Sequence, residues 1–159
     1  MRIALALLLL PDVAVAQDDW LYAPMVAACF ASDEKDCIGA AAAMCMEDEA
    51  EGETTFGMMT CLMAENQAWD GMLNAEYAKA RAHAQALDAA DQADFPEFAI
   101  RADQVQNAQR AWIAFRDANC AMQYGLWGAG SLRQIAGADC LLQMTATQTF
   151  ALRDYHAQP

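Results

Sequence analysis

Apolar positions along this chain recur at steps of three and four, the period of a helix with one buried face. Met58, Leu62, Glu65, Trp69, Met72, Leu73, Tyr77, Ala80, Ala84 and Leu87 keep that period, and Thr54-Thr55 offers a cap, so one long helix is predicted from Thr55 to Ala90. Phe95-Pro96 punctuates the pattern. Phe98, Val105, Ala108, Trp112, Phe115 and Asn119 then repeat it through Cys120, predicting a second long helix. The glycine-rich run Gly125 to Gly130 separates this from a third helix, which Ser131-Leu132-Arg133-Gln134 opens in the form of a capping box. Ile135, Ala138, Leu142, Thr145, Thr149 and Leu152 form the inward stripe of that helix.

Upstream, Met25 to Met46 is rich in alanine and cysteine, and the polar break Ser32 to Asp36 divides it into two short helices, the second near Ile38 to Met46. Glu47 to Glu53 is so acidic that it reads as a loop. No stretch alternates with period two, so no sheet is expected. The predicted fold is all-α: a helical bundle of long antiparallel helices, stapled by disulfides, with a small N-terminal helical lobe.

The first residues change the picture of where the chain works. Arg2, the apolar run Ile3 to Leu10 and the small-residue ending Ala14-Val15-Ala16 have the form of a cleavable export signal. Residues 1–16 are therefore expected to be removed, leaving 17–159 as one helical domain that is periplasmic or secreted. About 140 residues suffice for a single core. No window approaches the roughly 20 apolar residues of a membrane helix, so no membrane insertion is expected.

Loss of Arg2 and Asp12 with that segment leaves the net charge at −13. Such a surface lacks the clustered cations that bind phosphate, which argues against nucleic acid as a partner. It favours approach to a cationic protein.

All six cysteines follow the export segment, and in an oxidising compartment they imply three disulfides. Cys29, Cys37, Cys45 and Cys61 admit three pairings among themselves. The long gap before Cys120 and Cys140 favours local pairing, and Cys29–Cys37, Cys45–Cys61 and Cys120–Cys140 is the arrangement expected. No C-x-x-C occurs, so redox and zinc-ribbon chemistry is not indicated.

Glu47, Glu49, Glu51 and Glu53 alternate as in a calcium loop, but Met58 stands where such a loop needs its bidentate acid. Met44, Met46, Met58, Met59 and Met63 are soft enough for copper, though methionine at helical spacing more often fills a core. No metal or other cofactor is expected. Neither G-x-S-x-G nor H-E-x-x-H is present, and no carboxylate pair stands out, so the chain reads as a binding protein and not an enzyme.

The most distinctive string is Gln109-Arg110-Ala111-Trp112-Ile113-Ala114-Phe115-Arg116-Asp117-Ala118-Asn119-Cys120. Helical spacing places Trp112 and Phe115 toward the core, with Arg110, Arg116 and Asp117 free to pair with groups such as Asp70 or Glu76. With Cys61-Leu62, the Leu73-Asn74-x-x-Tyr77 motif and Cys140-Leu141-Leu142-x-x-Thr145, this string resembles the LprI-like lysozyme inhibitor family of small exported bacterial proteins, over roughly Cys45 to Tyr155. Asn74, Tyr77, Arg110, Trp112, Phe115, Arg116 and Asp117 carry the resemblance as structural motif residues. It implies a helical fold, an envelope location and inhibition of lysozyme. The expected contacts with a cationic partner such as lysozyme are Glu47, Asp48, Glu49, Glu51 and Glu53, together with Trp127 on the glycine-rich connection, where partial exposure is expected. The alternative function is a structural or stress-related envelope protein that binds another partner.

Overall fold

A computed structural model describes residues 20–32 and 34–158; the expected export signal, residues 1–16, lies outside the described residues. Within them the chain forms α1 (Ala23–Ser32), α2 (Ala40–Asp48), α3 (Thr55–Asp91), α4 (Arg101–Gly125) and α5 (Leu132–His156), with a 3₁₀ turn at Pro96–Phe98. No strand occurs among the described residues.

α3, at 37 residues, spans about 55 Å and is the axis of the molecule. α4 returns along it and α5 runs back along α4, so α3 and α5 are parallel and share the most extensive contact. α1 and α2 pack on the first half of α3, forming the small lobe.

The stripe read on α3 is the one that is buried. Leu62, Trp69, Leu73, Ala80 and Ala84 lie in the core, as do Ala138, Leu142, Thr145, Thr149 and Leu152 from α5. Trp69 and Phe150 are fully enclosed with ring centroids 5.5 Å apart, and Phe30 of α1 meets them at 6.2 and 5.3 Å. A smaller cluster around Leu73, Ala80 and Leu152 continues the core beyond the lobe and includes Tyr77 and Trp112.

The disulfides are Cys29–Cys37, Cys45–Cys61 and Cys120–Cys140, which is the local pairing. The second ties α2 to α3 and the third ties α4 to α5.

α4 is rotated from its expected orientation. Phe115 is 62% exposed, whereas Gln109 is buried and Arg116 half-buried. The inward face follows Val105, Gln109, Trp112, Arg116 and Cys120, because Gln109 finds a partner on α5 and Cys120 is bridged to it. The Gln109 amide oxygen accepts from Gln148 Nε2 at 3.1 Å, and the Arg116 guanidinium stacks 5.1 Å from the Trp112 ring centroid.

The ion pairs expected across the helices do not form. Arg116 pairs with adjacent Asp117 at 2.9 Å, Arg110 is exposed, Asp70 accepts from Asn74, and Glu76 is engaged elsewhere. The capping box at Ser131 is also absent. Ser131 itself has helical dihedrals, and its carbonyl, not its hydroxyl, meets Gln134 N–H at 3.2 Å. At α3 the sequence reading holds, since Thr54 Oγ1 accepts from Gly57 N–H at 3.0 Å.

Two helices that lack a side-chain cap of their own receive a carboxylate from α3. Glu65, 1% exposed, accepts from Gly39 and Ala42 N–H at the start of α2, at 2.8 and 2.7 Å, and from Trp69 Nε1 at 3.1 Å. Gly39 has φ of 94°, a conformation that favours glycine. Asp88 likewise accepts from Arg101 and Ala102 N–H, both at 2.9 Å, at the start of α4. Burial alone would raise the Asp88 carboxyl, but those N–H groups and the Arg101 guanidinium outweigh it, and its pKa falls below the ordinary value.

Glu76 ties the far end of α5 to α3, meeting His156 Nε2 at 2.6 Å and Lys79 Nζ at 2.7 Å. Desolvation pushes its pKa up, yet the hydrogen bonds and charges of His156 and Lys79 win, and it lies below the ordinary carboxylate value. A carboxyl depressed on folding adds stability above its unfolded pKa of about 4.3, and that stability is lost as pH falls through the lower folded value. Glu76→Gln is therefore expected to be less stable than the parent at pH near 7, with the gap narrowing below pH about 4. Urea denaturation of both proteins across that range checks this; a gap independent of pH would refute the ionic account.

Candidate functional site: an acidic turn beside an apolar groove

The acidic stretch is only partly a loop. α2 continues through Glu47 and Asp48, and the turn proper begins at Glu49. Carboxylates at a helix C-terminus oppose its dipole, so something must hold that last turn. The Cys45–Cys61 bridge does so from within, and Tyr22 Oη donates to Asp48 Oδ2 at 3.0 Å. Burial, then the bond to Asp48 and the charges of Asp48 and Glu49, raise the Tyr22 phenol above its ordinary pKa, which keeps it a donor.

Backbone bonds close the turn: Gly52 N–H meets Glu49 carbonyl at 2.9 Å, and Thr54 N–H meets Glu51 carbonyl at 3.0 Å. Two glycines permit its tight return, because a Cβ on Gly52 would collide with the Met46 carbonyl and one on Gly57 with that of Glu51. Glu47, Asp48, Glu49, Glu51 and Glu53 are all left exposed on this anchored element. Among the described residues no three His, Cys, Asp or Glu side chains are grouped to hold a metal ion.

Two recesses adjoin the turn. One, of about 360 Å³, lies beneath it and is lined by Trp20, Glu49, Glu51 and Phe56 among others. The other is an open groove of about 940 Å³ between the start of α3, the end of α4 and the start of α5. Phe56, Met59, Met63 and Tyr124 line it, with Asp117 at its border. Phe56 belongs to both recesses and is 67% exposed.

Trp127, 46% exposed, sits on the α4–α5 connection at this same end of the bundle, next to the exposed Leu126. Asn74 lies on the exposed face of α3 and Tyr77 in the second core cluster, so the motif residues Asn74, Tyr77, Arg110 and Trp112 are not gathered at the acidic turn.

The groove was not foreseen from the sequence. Met59 and Met63 belong to α3 and Tyr124 to α4, and only the α3–α4 pairing brings them together. The buried carboxylate did leave a signal, since Glu65 occupies a stripe position where an apolar residue is expected and so needs a buried partner.

No helix among the described residues is long and apolar enough to cross a membrane. Comparison with curated proteins and with solved structures gives no match. Residues 45–152, which run from the cysteine anchoring the acidic turn nearly to the end of α5, match the family described as Lysozyme inhibitor LprI. With well over half of its length in that match, the chain belongs to the lysozyme inhibitor LprI family.

Proposed function

We propose that this protein is exported to the periplasm or beyond the cell and there inhibits a cationic lysozyme by covering its substrate cleft, without catalytic activity of its own. The observation that carries the reading is the family match, whose span includes the exposed carboxylates of the acidic turn. A net charge of −13 accelerates approach to a basic enzyme, and a turn anchored by a disulfide loses little freedom when it docks. Export is supported by the form of residues 1–16 and by the disulfides.

A peptidoglycan turbidity assay run beside an unrelated acidic protein of similar charge tests the proposal. Saturable inhibition that survives moderate salt is expected from this protein alone. Converting Glu47, Glu49, Glu51 and Glu53 to glutamine and Asp48 to asparagine should slow association about tenfold or more while changing dissociation less. Equal, weak effects from both acidic proteins, abolished by moderate salt, would remove the inhibitor assignment and leave a structural envelope role as the better reading.

A further inference from the structure

The geometry points to a two-part docking site in which the recess under the acidic turn takes a lysine or arginine side chain of a cationic protein and the adjoining groove takes a neighbouring apolar side chain. The inference deepens the inhibitor reading and rests on it for the identity of the partner, but not for the chemistry of the site.

The smaller recess combines two aromatic rings, Trp20 and Phe56, with two carboxylates, Glu49 and Glu51. Ring faces attract a cation and carboxylates pair with it, so this lining suits an ammonium or guanidinium group and disfavours an anion. Its volume of about 360 Å³ suits one long side chain. The larger groove has a different character, with Phe56, Met59, Met63 and Tyr124 as its walls and the Cys120 end of the α4–α5 bridge beneath them. Methionine walls adapt to the shape of an apolar group. Exposed aromatic and methionine side chains around a pocket are the usual anchors of a protein interface.

Phe56 is the partition shared by the two recesses, so a basic residue and an apolar residue close together in one partner segment would fill both. Charge selects this occupant over others. A second copy of this chain would bring another −13 charge to the same surface, and a fatty acyl chain would leave Glu49 and Glu51 without a counter-charge. Hydrophobic burial in the groove would act mainly on dissociation and the acidic recess mainly on association, so the two parts separate kinetically.

The test uses the full disulfide-bonded protein with methyl-labelled methionine and amide-labelled backbone, titrated in an NMR tube. Three blocked peptides serve as probes, with central sequences Arg-Trp-Arg, Arg-Ser-Arg and Gln-Trp-Gln. Saturable shifts at both the Met59 and Met63 methyls and the Glu49 to Glu53 amides are expected with the first peptide, and at least tenfold weaker binding with each of the others. Ala121→Trp, which fills the groove from an exposed position on α4, should abolish the methyl response and preserve that of the acidic amides. Equal binding of Arg-Ser-Arg would reduce the site to charge attraction and overturn the proposal. Equal binding of Gln-Trp-Gln would make the groove a general apolar sink and overturn it as well, as would concentration-dependent shifts of the same methyls without peptide, which would assign the groove to a second copy. Two-site peptide binding without lysozyme inhibition would support the docking site while refuting lysozyme as its partner. Inhibition by a protein that binds no peptide, unaffected by Ala121→Trp, would retain the inhibitor reading and sink this one.

Discussion

Glu65→Ala is expected to lower the stability of the oxidised protein by about 3–5 kcal/mol, or about 10–15 °C in Tm for a chain of this length. Glu65 is 1% exposed, and its carboxylate accepts from Gly39 N–H, Ala42 N–H and Trp69 Nε1. Removing it leaves three donors without partners, two of them at the positive end of α2, where water has poor access. An unsatisfied buried donor costs about 1–3 kcal/mol, more than the small net gain of an ordinary hydrogen bond. Glu65→Gln should cost less, since its amide oxygen still accepts while its NH₂ faces donors. Urea denaturation followed by helical circular dichroism, with disulfides kept intact, gives the comparison. A loss below about 1 kcal/mol for the alanine variant would show that water replaces the carboxylate and that α2 needs no cap from α3.

Trp69→Ala should cost a similar amount, about 3–5 kcal/mol, by a different route. The indole is fully enclosed and packs against Phe30 and Phe150, so truncation removes the aromatic contacts of α3 with both α1 and α5 at once. The cavity cannot collapse freely, because Cys29–Cys37 and Cys45–Cys61 restrain the lobe that lines it. Trp69→Phe keeps much of the packing but loses the bond to Glu65, and isolates that term. Combining Trp69→Phe with Glu65→Ala should then cost less than the sum of the separate losses, by about 1 kcal/mol, since both remove the same hydrogen bond. Strict additivity in this double-mutant cycle would mean that the indole N–H contributes nothing and that Trp69 acts through its volume alone.

What the sequence determined by itself is the secondary structure, the covalent frame and the family. The period of α3 is strong because its stripe runs unbroken over about eight turns, and each turn repeats the same information. The disulfides were legible because cysteines close in sequence sit on neighbouring elements. The five carboxylates and Trp127 were likewise found exposed, as their composition and setting predict.

The tertiary structure alone decided the rotation of α4. Apolar spacing favours Phe115 as an inward residue, but Gln109 gains a specific partner in Gln148 of α5, and that interaction is non-local. For the same reason the S-x-x-Q string could not announce that Ser131 would itself be helical, nor could α2 and α4 reveal that their caps come from Glu65 and Asp88 of α3. The apolar groove belongs to this second class. Phe56 and Met63 of α3 are far along the chain from Tyr124 of α4, and only the antiparallel return of α4 on α3 gives them a common wall. Periodicity reports which face of a helix turns inward; which neighbour that face meets, and at what rotation, depends on partners that no single helix contains.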